Sequence, residues 1–181
     1  MSLVFRELTN EEETILQTEL DYWLEEKELL SFKKENSFLI AEGKWCELVI
    51  TTKKVGRFFK ENAQISPYSI GITFGEIKNR KILLSLGGAE ELCTISRKKL
   101  RINETAEQLF LYQRDILSKS IIGYPTHVNK GQKILVTNPQ GDCLGVGQLL
   151  LSREEVARVE NAEKIAVKNL KDLGWYLRKG K

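Results

Sequence analysis

The sequence predicts an α+β chain in two parts, a mostly antiparallel sheet with helices over residues 1–96 and a small barrel or sandwich of short strands over 97–181. Three observations carry this. Apolar residues recur at three- and four-residue steps in the first segment, then give way to β-rich runs with period two. Two turn signals split those runs into hairpins. The last 85 or so residues hold many short apolar runs separated by Gly- and Pro-containing turns. With 181 residues and 41% hydrophobic content, the chain can bury roughly 70% of its unfolded surface.

The first element reads as a helix. Thr9 or Asn10 can cap it, with Glu12 or Glu13 at capping-box spacing, and Ile15, Leu16, Leu20, Trp23 and Leu24 form one apolar stripe. Its other face is acidic. Ser37–Ala41 and Trp45–Thr51 read as a hairpin around Glu42-Gly43-Lys44, and Lys53–Asn62 as a short helix. Pro67 breaks the chain. Tyr68–Lys78 and Lys81–Leu86 read as a second hairpin around Asn79-Arg80, and Ala89–Thr94 as a closing helix. A boundary falls near Ser96, where the ordinary reading of the basic run Arg97-Lys98-Lys99-Leu100-Arg101 is a solvated linker or strand edge. Beyond it, Glu107–Tyr112 reads as a strand and Arg114–Ser118 as a short helix. Gln132–Asn138 and Leu144–Leu151 are strands flanking the turn Asn138-Pro139-Gln140-Gly141-Asp142. Ile165–Lys168 and Trp175–Arg178 supply the last extended pieces, with one of Trp175 and Tyr176 expected in the core and the other outside.

Composition excludes several functions. No run approaches the roughly 18 apolar residues of a membrane span. The opening MSLVFRELTNEEE has no basic region or cleavage site, so a soluble intracellular protein is expected, with no membrane partner. Cys46, Cys93 and Cys143 are sparse and unpaired in pattern, and His127 is the single histidine, so neither a disulfide framework nor a metal site is expected. Gly145-Val146-Gly147-Gln148-Leu149-Leu150 lacks the third glycine of a dinucleotide fingerprint. Its glycines instead suit a crowded, curved strand. Walker and nucleophile-elbow motifs are absent. A Cys143–His127 pair would need contact that spacing cannot supply. No cofactor and no catalytic residues are expected.

Charge is unevenly distributed. Residues 1–30 carry two basic and nine acidic residues, a net of −7; residues 97–181 carry sixteen and nine, a net of +7. Residues 164–181 have six basic residues against Asp172 alone. Lys164, Lys168, Lys171 and Arg178, with Lys179 and Lys181 beyond, accompany Trp175 and Tyr176. Cations neutralise phosphates and flat rings stack on bases, so this end suits RNA.

Specific strings carry a family resemblance. Ala106-Glu107-Gln108-Leu109-Phe110-Leu111-Tyr112 with Asp115-Ile116-Leu117 resembles the opening of a PUA domain, a small RNA-binding pseudo-barrel. Asp142–Gly147 resembles its central strand, and Val167–Arg178 its closing strand. In the first half, Thr9 with Glu11-Glu12-Glu13, Ile70–Ile77 and Lys81–Leu86 resemble the α/β domain of Nip-type (nuclear import protein seven) factors of large-ribosomal-subunit biogenesis. The likeness spans nearly the whole chain and suggests an archaeal member. It implies an N-terminal α/β domain over 1–96 and a C-terminal PUA pseudo-barrel over 97–181. It also implies a non-catalytic factor that binds pre-rRNA and assists its processing, with Lys164, Lys168, Lys171 and Arg178 as the RNA contacts. Ribosome-assembly proteins would meet the N-terminal domain, in the cytoplasm of an archaeon or the nucleolus or nucleus of a eukaryote. Two departures stand out: Trp175 replaces an acidic residue of eukaryotic members, and Gln113-Arg114 replaces a Gly-Asn-like pair. Competing readings are an RNA-modifying enzyme with an appended PUA domain, for which the first 96 residues offer no histidine, and a protein-interaction scaffold that binds no RNA.

Overall fold

The computed structural model describes residues 4–43, 46–62 and 64–178 and divides into two compact units, residues 1–96 and 97–181. Lys44 and Trp45 of the first predicted hairpin, and Lys179 and Lys181 of the basic tail, lie outside the described residues.

The first unit is built on a five-stranded antiparallel meander, β1 (Val4–Arg6), β2 (Asn36–Glu42), β3 (Cys46–Thr52), β4 (Ile72–Lys78) and β5 (Lys81–Leu84), in sequence order. Four helices accompany it: α1 (Asn10–Trp23), α2 (Glu26–Glu35), α3 (Lys53–Glu61) and α4 (Leu86–Ile95). Thr9 caps α1 in a capping box with Glu12, and Leu16, Leu20 and Trp23 form its buried stripe. The sequence reading ends the opening helix at this stripe and does not separate out α2, which starts from a Glu25–Glu28 box. Leu39, Ile40 and Ala41 on β2 and Leu48 to Thr51 on β3 are buried in succession, so both faces of these central strands are covered. Asn79 and Arg80 both adopt positive φ (50° and 57°), the conformation of a two-residue hairpin loop whose twist matches the strands.

The second unit is a curled six-stranded sheet. Its strands are β6 (Lys99–Ile102), β7 (Ile116–Leu117), β8 (Ile121–Gly123), β9 (Lys133–Thr137), β10 (Cys143–Leu149) and β11 (Ile165–Asp172), in the spatial order β7-β11-β10-β9-β6-β8. All pairs are antiparallel except β6 with β9. Helix α5 (Glu104–Leu111) lies against β7, β10 and β11; the short α6 (Arg153–Val156) and α7 (Gly174–Arg178) complete the unit. The core gathers Leu100, Ile102, Phe110, Ile116, Ile134, Val136, Leu149 and Val167.

Three sequence expectations change here. Glu107–Tyr112 is helix, not strand. The Asn103 side chain accepts the Ala106 amide and starts α5, and Ala106 and Phe110, four apart, are its buried face while Leu109 and Tyr112 are exposed. Arg114–Ser118, read as helix, contains the short strand β7. Trp175–Arg178, read as strand, is helix α7, while the closing strand runs on to Asp172.

Candidate RNA interface

Lys168 and Lys171 are brought to one face by an irregularity in β11. In a regular strand, residues 168 and 171 would point to opposite faces. In β11 the register with β10 steps from Gly147↔Asn169 to Val146↔Lys171, leaving Leu170 unpaired as a bulge. Lys168 pairs with Gln148 and Lys171 with Val146. Directly opposed residues share a face, and Gln148 and Val146 are two apart, so Lys168 and Lys171 emerge on the same face. Lys164 stands at the entry to β11, where its carbonyl accepts the Ser118 amide at 2.9 Å, about 13 Å along the chain from Lys168. All three are exposed. Neither Lys164 nor Lys168 makes an ion pair among the described residues, and the adjacent carboxylate of Glu163 is held by Lys119 at 2.7 Å.

Asn169, on the opposite face, anchors the strand. Its amide donates to Asp115 Oδ1 and its side chain to the Phe110 carbonyl, both at 2.8 Å. Gly145 on β10 adopts φ +147°, and a Cβ there would collide with the Lys171 carbonyl. The glycine-containing segment thus serves close strand approach, as its sequence suggests, rather than a dinucleotide.

Arg178 is placed differently from the lysines. Its guanidinium grips Asp172 with both nitrogens, Nη1 to Oδ1 at 2.9 Å and Nη2 to Oδ2 at 3.2 Å, and donates to the Leu111 carbonyl. The Asp172 side chain is 2% exposed. A bidentate fork on a buried carboxylate positions α7 against the end of α5. A Cβ on Gly174 would strike the Leu111 carbonyl, so glycine permits this approach. Arg178 thus braces α7 through Asp172 while its partly exposed side chain still lines the cleft that Lys171 and Trp175 share.

Trp175 and Tyr176 are both exposed, 41% and 58%, and meet edge-to-face with ring centroids 5.2 Å apart. The alternation expected of a strand does not arise because the segment is helical. Lys171, Trp175 and Arg178 line one cleft of about 300 Å³ with Gln113, Asn169, Leu170 and Asp172. A cation and an indole on one cleft suit a phosphate and a stacked ring. Neither the bulge nor the cleft has a local sequence signal; the adjacency of Gly174, Trp175 and Tyr176 is the only hint.

Gln113, at the Gly-Asn-like position, adopts φ +64°. Its amide bonds the Phe110 carbonyl and that of Arg114 the Leu109 carbonyl, both at 3.0 Å, which closes α5 in a Schellman arrangement without glycine.

Burial first, then the Glu12 carboxylate, pushes the Cys46 thiol above its ordinary pKa, the opposite of an activated nucleophile. Among the described residues no group of three or more His, Cys, Asp or Glu side chains is arranged to hold a metal ion, and no helix is long and apolar enough to cross a membrane.

The fold defines the class: a two-unit α+β protein whose second unit is a PUA-type pseudo-barrel. Residues 98–181 match the UPF0113 PUA domain, and residues 5–86 match the NIP7/UPF0113 pre-PUA domain. The chain belongs to the NIP7/UPF0113 family, with a PUA domain at its carboxyl end. It is 29% identical over 176 residues to a UPF0113 protein of Archaeoglobus fulgidus, covering 97% of this chain and 95% of that one. In fold it is similar to a hypothetical protein from Pyrococcus horikoshii, with a TM-score of 0.62 at 14% identity over 96% of this chain and 99% of the other. A PUA domain protein from Aeropyrum pernix gives a TM-score of 0.60 at 14% identity, over 98% and 91% of the two chains.

Proposed function

We propose that this protein is a non-catalytic RNA-binding factor that assists pre-rRNA processing and large-ribosomal-subunit assembly, acting in the cytoplasm. The observation that carries the reading is the lysine row of β11: Lys168 and Lys171 on one face, Lys164 at the strand entry, and Trp175 beside Lys171 in the same cleft. The family points the same way. The mechanism is docking. Ammonium groups neutralise successive phosphates and release counterions, while the exposed indole receives a base. Irregular or single-stranded pre-rRNA fits best, because unstacked bases are available to the ring. The acidic first 30 residues, net −7, offer assembly proteins a surface of opposite character.

The test is fluorescence anisotropy with a labelled single-stranded uridine-rich RNA. Affinity falls steeply with salt for the wild type. Lys164→Glu with Lys168→Glu weakens binding about 30- to 100-fold with an unchanged melting temperature, since both side chains are exposed and unpaired in charge. Wild-type affinity in the double variant removes the assignment. In cells the same variant should accumulate unprocessed pre-rRNA and lose mature large subunits in sucrose gradients.

A further inference from the structure

A second concentration of positive charge lies on the same face of the curled sheet, at the β6 end of the register row that reaches Lys171. In the run Arg97–Arg101, Arg97 and Lys98 lead into β6, while Lys99–Arg101 lie within β6, an interior strand between β8 and β9. Leu100 and Ile102 point into the core. Period two then sends Lys99 and Arg101 to the opposite face, with Arg97 two residues before them. There they line a groove of about 440 Å³ with Tyr124, Pro125 and Thr137, and no carboxylate contributes to its walls.

The groove is shaped around Arg101. Its register partners are Gly123 on β8 and Thr137 on β9. A Cβ at Gly123 would lie 3.2 Å from Arg101 Cβ and 3.3 Å from its Nε, so the side chain lies back across the glycine. Arg101 is exposed and makes no ion pair among the described residues. The Tyr124 hydroxyl donates to the Leu151 carbonyl at 2.9 Å, which fixes the ring and leaves its side, not its hydroxyl, toward the groove.

We infer that this groove is a second, separate RNA-backbone site, in which the Arg101 guanidinium takes a phosphodiester and the Tyr124–Pro125 wall takes the adjoining sugar and base. The inference rests on the reading of this unit as an RNA-binding module. The register row Lys99–Leu135–Val146–Lys171 crosses four strands, about 14 Å, and Leu135 and Val146 between its ends are buried. The groove and the lysine row are therefore two clusters of cations about 14 Å apart along one face of the sheet, and an RNA that fills both must span that distance.

The experiment uses the full chain and two labelled uridine-rich RNAs, about 6 and 20 nucleotides long, titrated across a salt series. Arg101→Gln weakens binding of the longer RNA about 5- to 10-fold and lowers the magnitude of its salt slope by about 0.7, one phosphate contact on a single strand. Arg101→Lys restores most of the slope. With 4-thiouridine in the longer RNA, cross-links form in the peptide containing Tyr124 and are lost in Arg101→Gln. Lys130→Gln, an exposed cation elsewhere on the unit, leaves affinity within twofold. An Arg101→Gln protein with wild-type affinity and slope, cross-links confined to residues 164–176, or an equal loss in Lys130→Gln overturns the groove. A wild type that binds neither RNA overturns the RNA-binding reading itself, a distinguishable result.

Discussion

In each unit an arginine clamps separate elements together, and the two are held in different surroundings. In the first unit Arg6, on edge strand β1, reaches Glu42 of β2 at 2.5 Å and Glu12 of α1 at 2.7 and 2.8 Å. The Arg6 side chain is 32% exposed, and its partners are 14% and 51% exposed. In the second unit Arg178 is 26% exposed, but its partner Asp172 is 2% exposed. The difference lies in what remains when the arginine is removed. Glu42 and Glu12 retain water, and Glu12 also keeps the Thr9 amide. Asp172 would be left as a buried charge with no countercharge.

The largest effect therefore belongs to Arg178. Arg178→Ala should destabilise the protein by about 3–5 kcal/mol, the usual penalty for orphaning a buried charge. Arg178→Lys should recover only part of this, because a point charge cannot bridge both carboxylate oxygens and the Leu111 carbonyl. Asp172→Leu with Arg178→Leu should be less damaging than Arg178→Ala alone. Urea unfolding of the three variants measures the order, and an Arg178→Ala loss no larger than that of Arg6→Ala would erase the contrast.

The first unit's clamp is smaller and depends on pH. Hydrogen bonding to Arg6, aided by Thr9 and opposed by desolvation, holds the Glu12 carboxyl at about 2 instead of 4.5. Its folded pKa lies below its unfolded value, so the stabilisation is fully present above 4.5 and lost as pH falls through about 2. Glu12→Gln should cost about 1–2 kcal/mol at pH 7, reduced from the full linkage value by solvent screening. The gap between wild type and variant should close between pH 5 and 2 in urea titrations. A gap that stays constant across that range would assign the loss to capping of α1 alone.

What the sequence made legible follows how local each determinant is. The Thr9–Glu12 capping box, the Asn79-Arg80 hairpin and the strand pair around Asn138–Asp142 depend on residues a few positions apart, and each forms in the structure. The Arg178–Asp172 grip lies six residues apart but closes on Leu111, 67 positions away, so the arginine reads from sequence as one more tail cation. The Leu170 bulge exists only relative to β10, and without it the lysines could not be assigned to a face. Glu107–Tyr112 misleads because apolar Leu109, Leu111 and Tyr112 mimic a strand, while the real signal is the Asn103 cap upstream. Trp175 and Tyr176 mislead for the same reason: alternation has meaning only once the period is known.

The smallest effect concerns the helix end on which the Arg178 clamp is seated. Leu111 offers its carbonyl to Arg178 from the last turn of α5, and two residues later Gln113 closes that turn at φ +64°. A non-glycine residue in the left-handed region is disfavoured by roughly 1–2 kcal/mol. Glycine removes that penalty but gains freedom in the unfolded chain, which returns part of the benefit. Gln113→Gly should thus stabilise by about 0.5–1 kcal/mol and raise Tm by about 1–4 °C. Gln113→Val, branched at Cβ, should lower Tm. In the Arg178→Ala background the glycine gain should persist, because the Schellman bonds from Gln113 and Arg114 end on Phe110 and Leu109 and not on the Leu111 carbonyl that Arg178 binds. A gain that vanishes with Arg178 would show instead that the clamp, rather than the turn, holds Gln113 in its conformation.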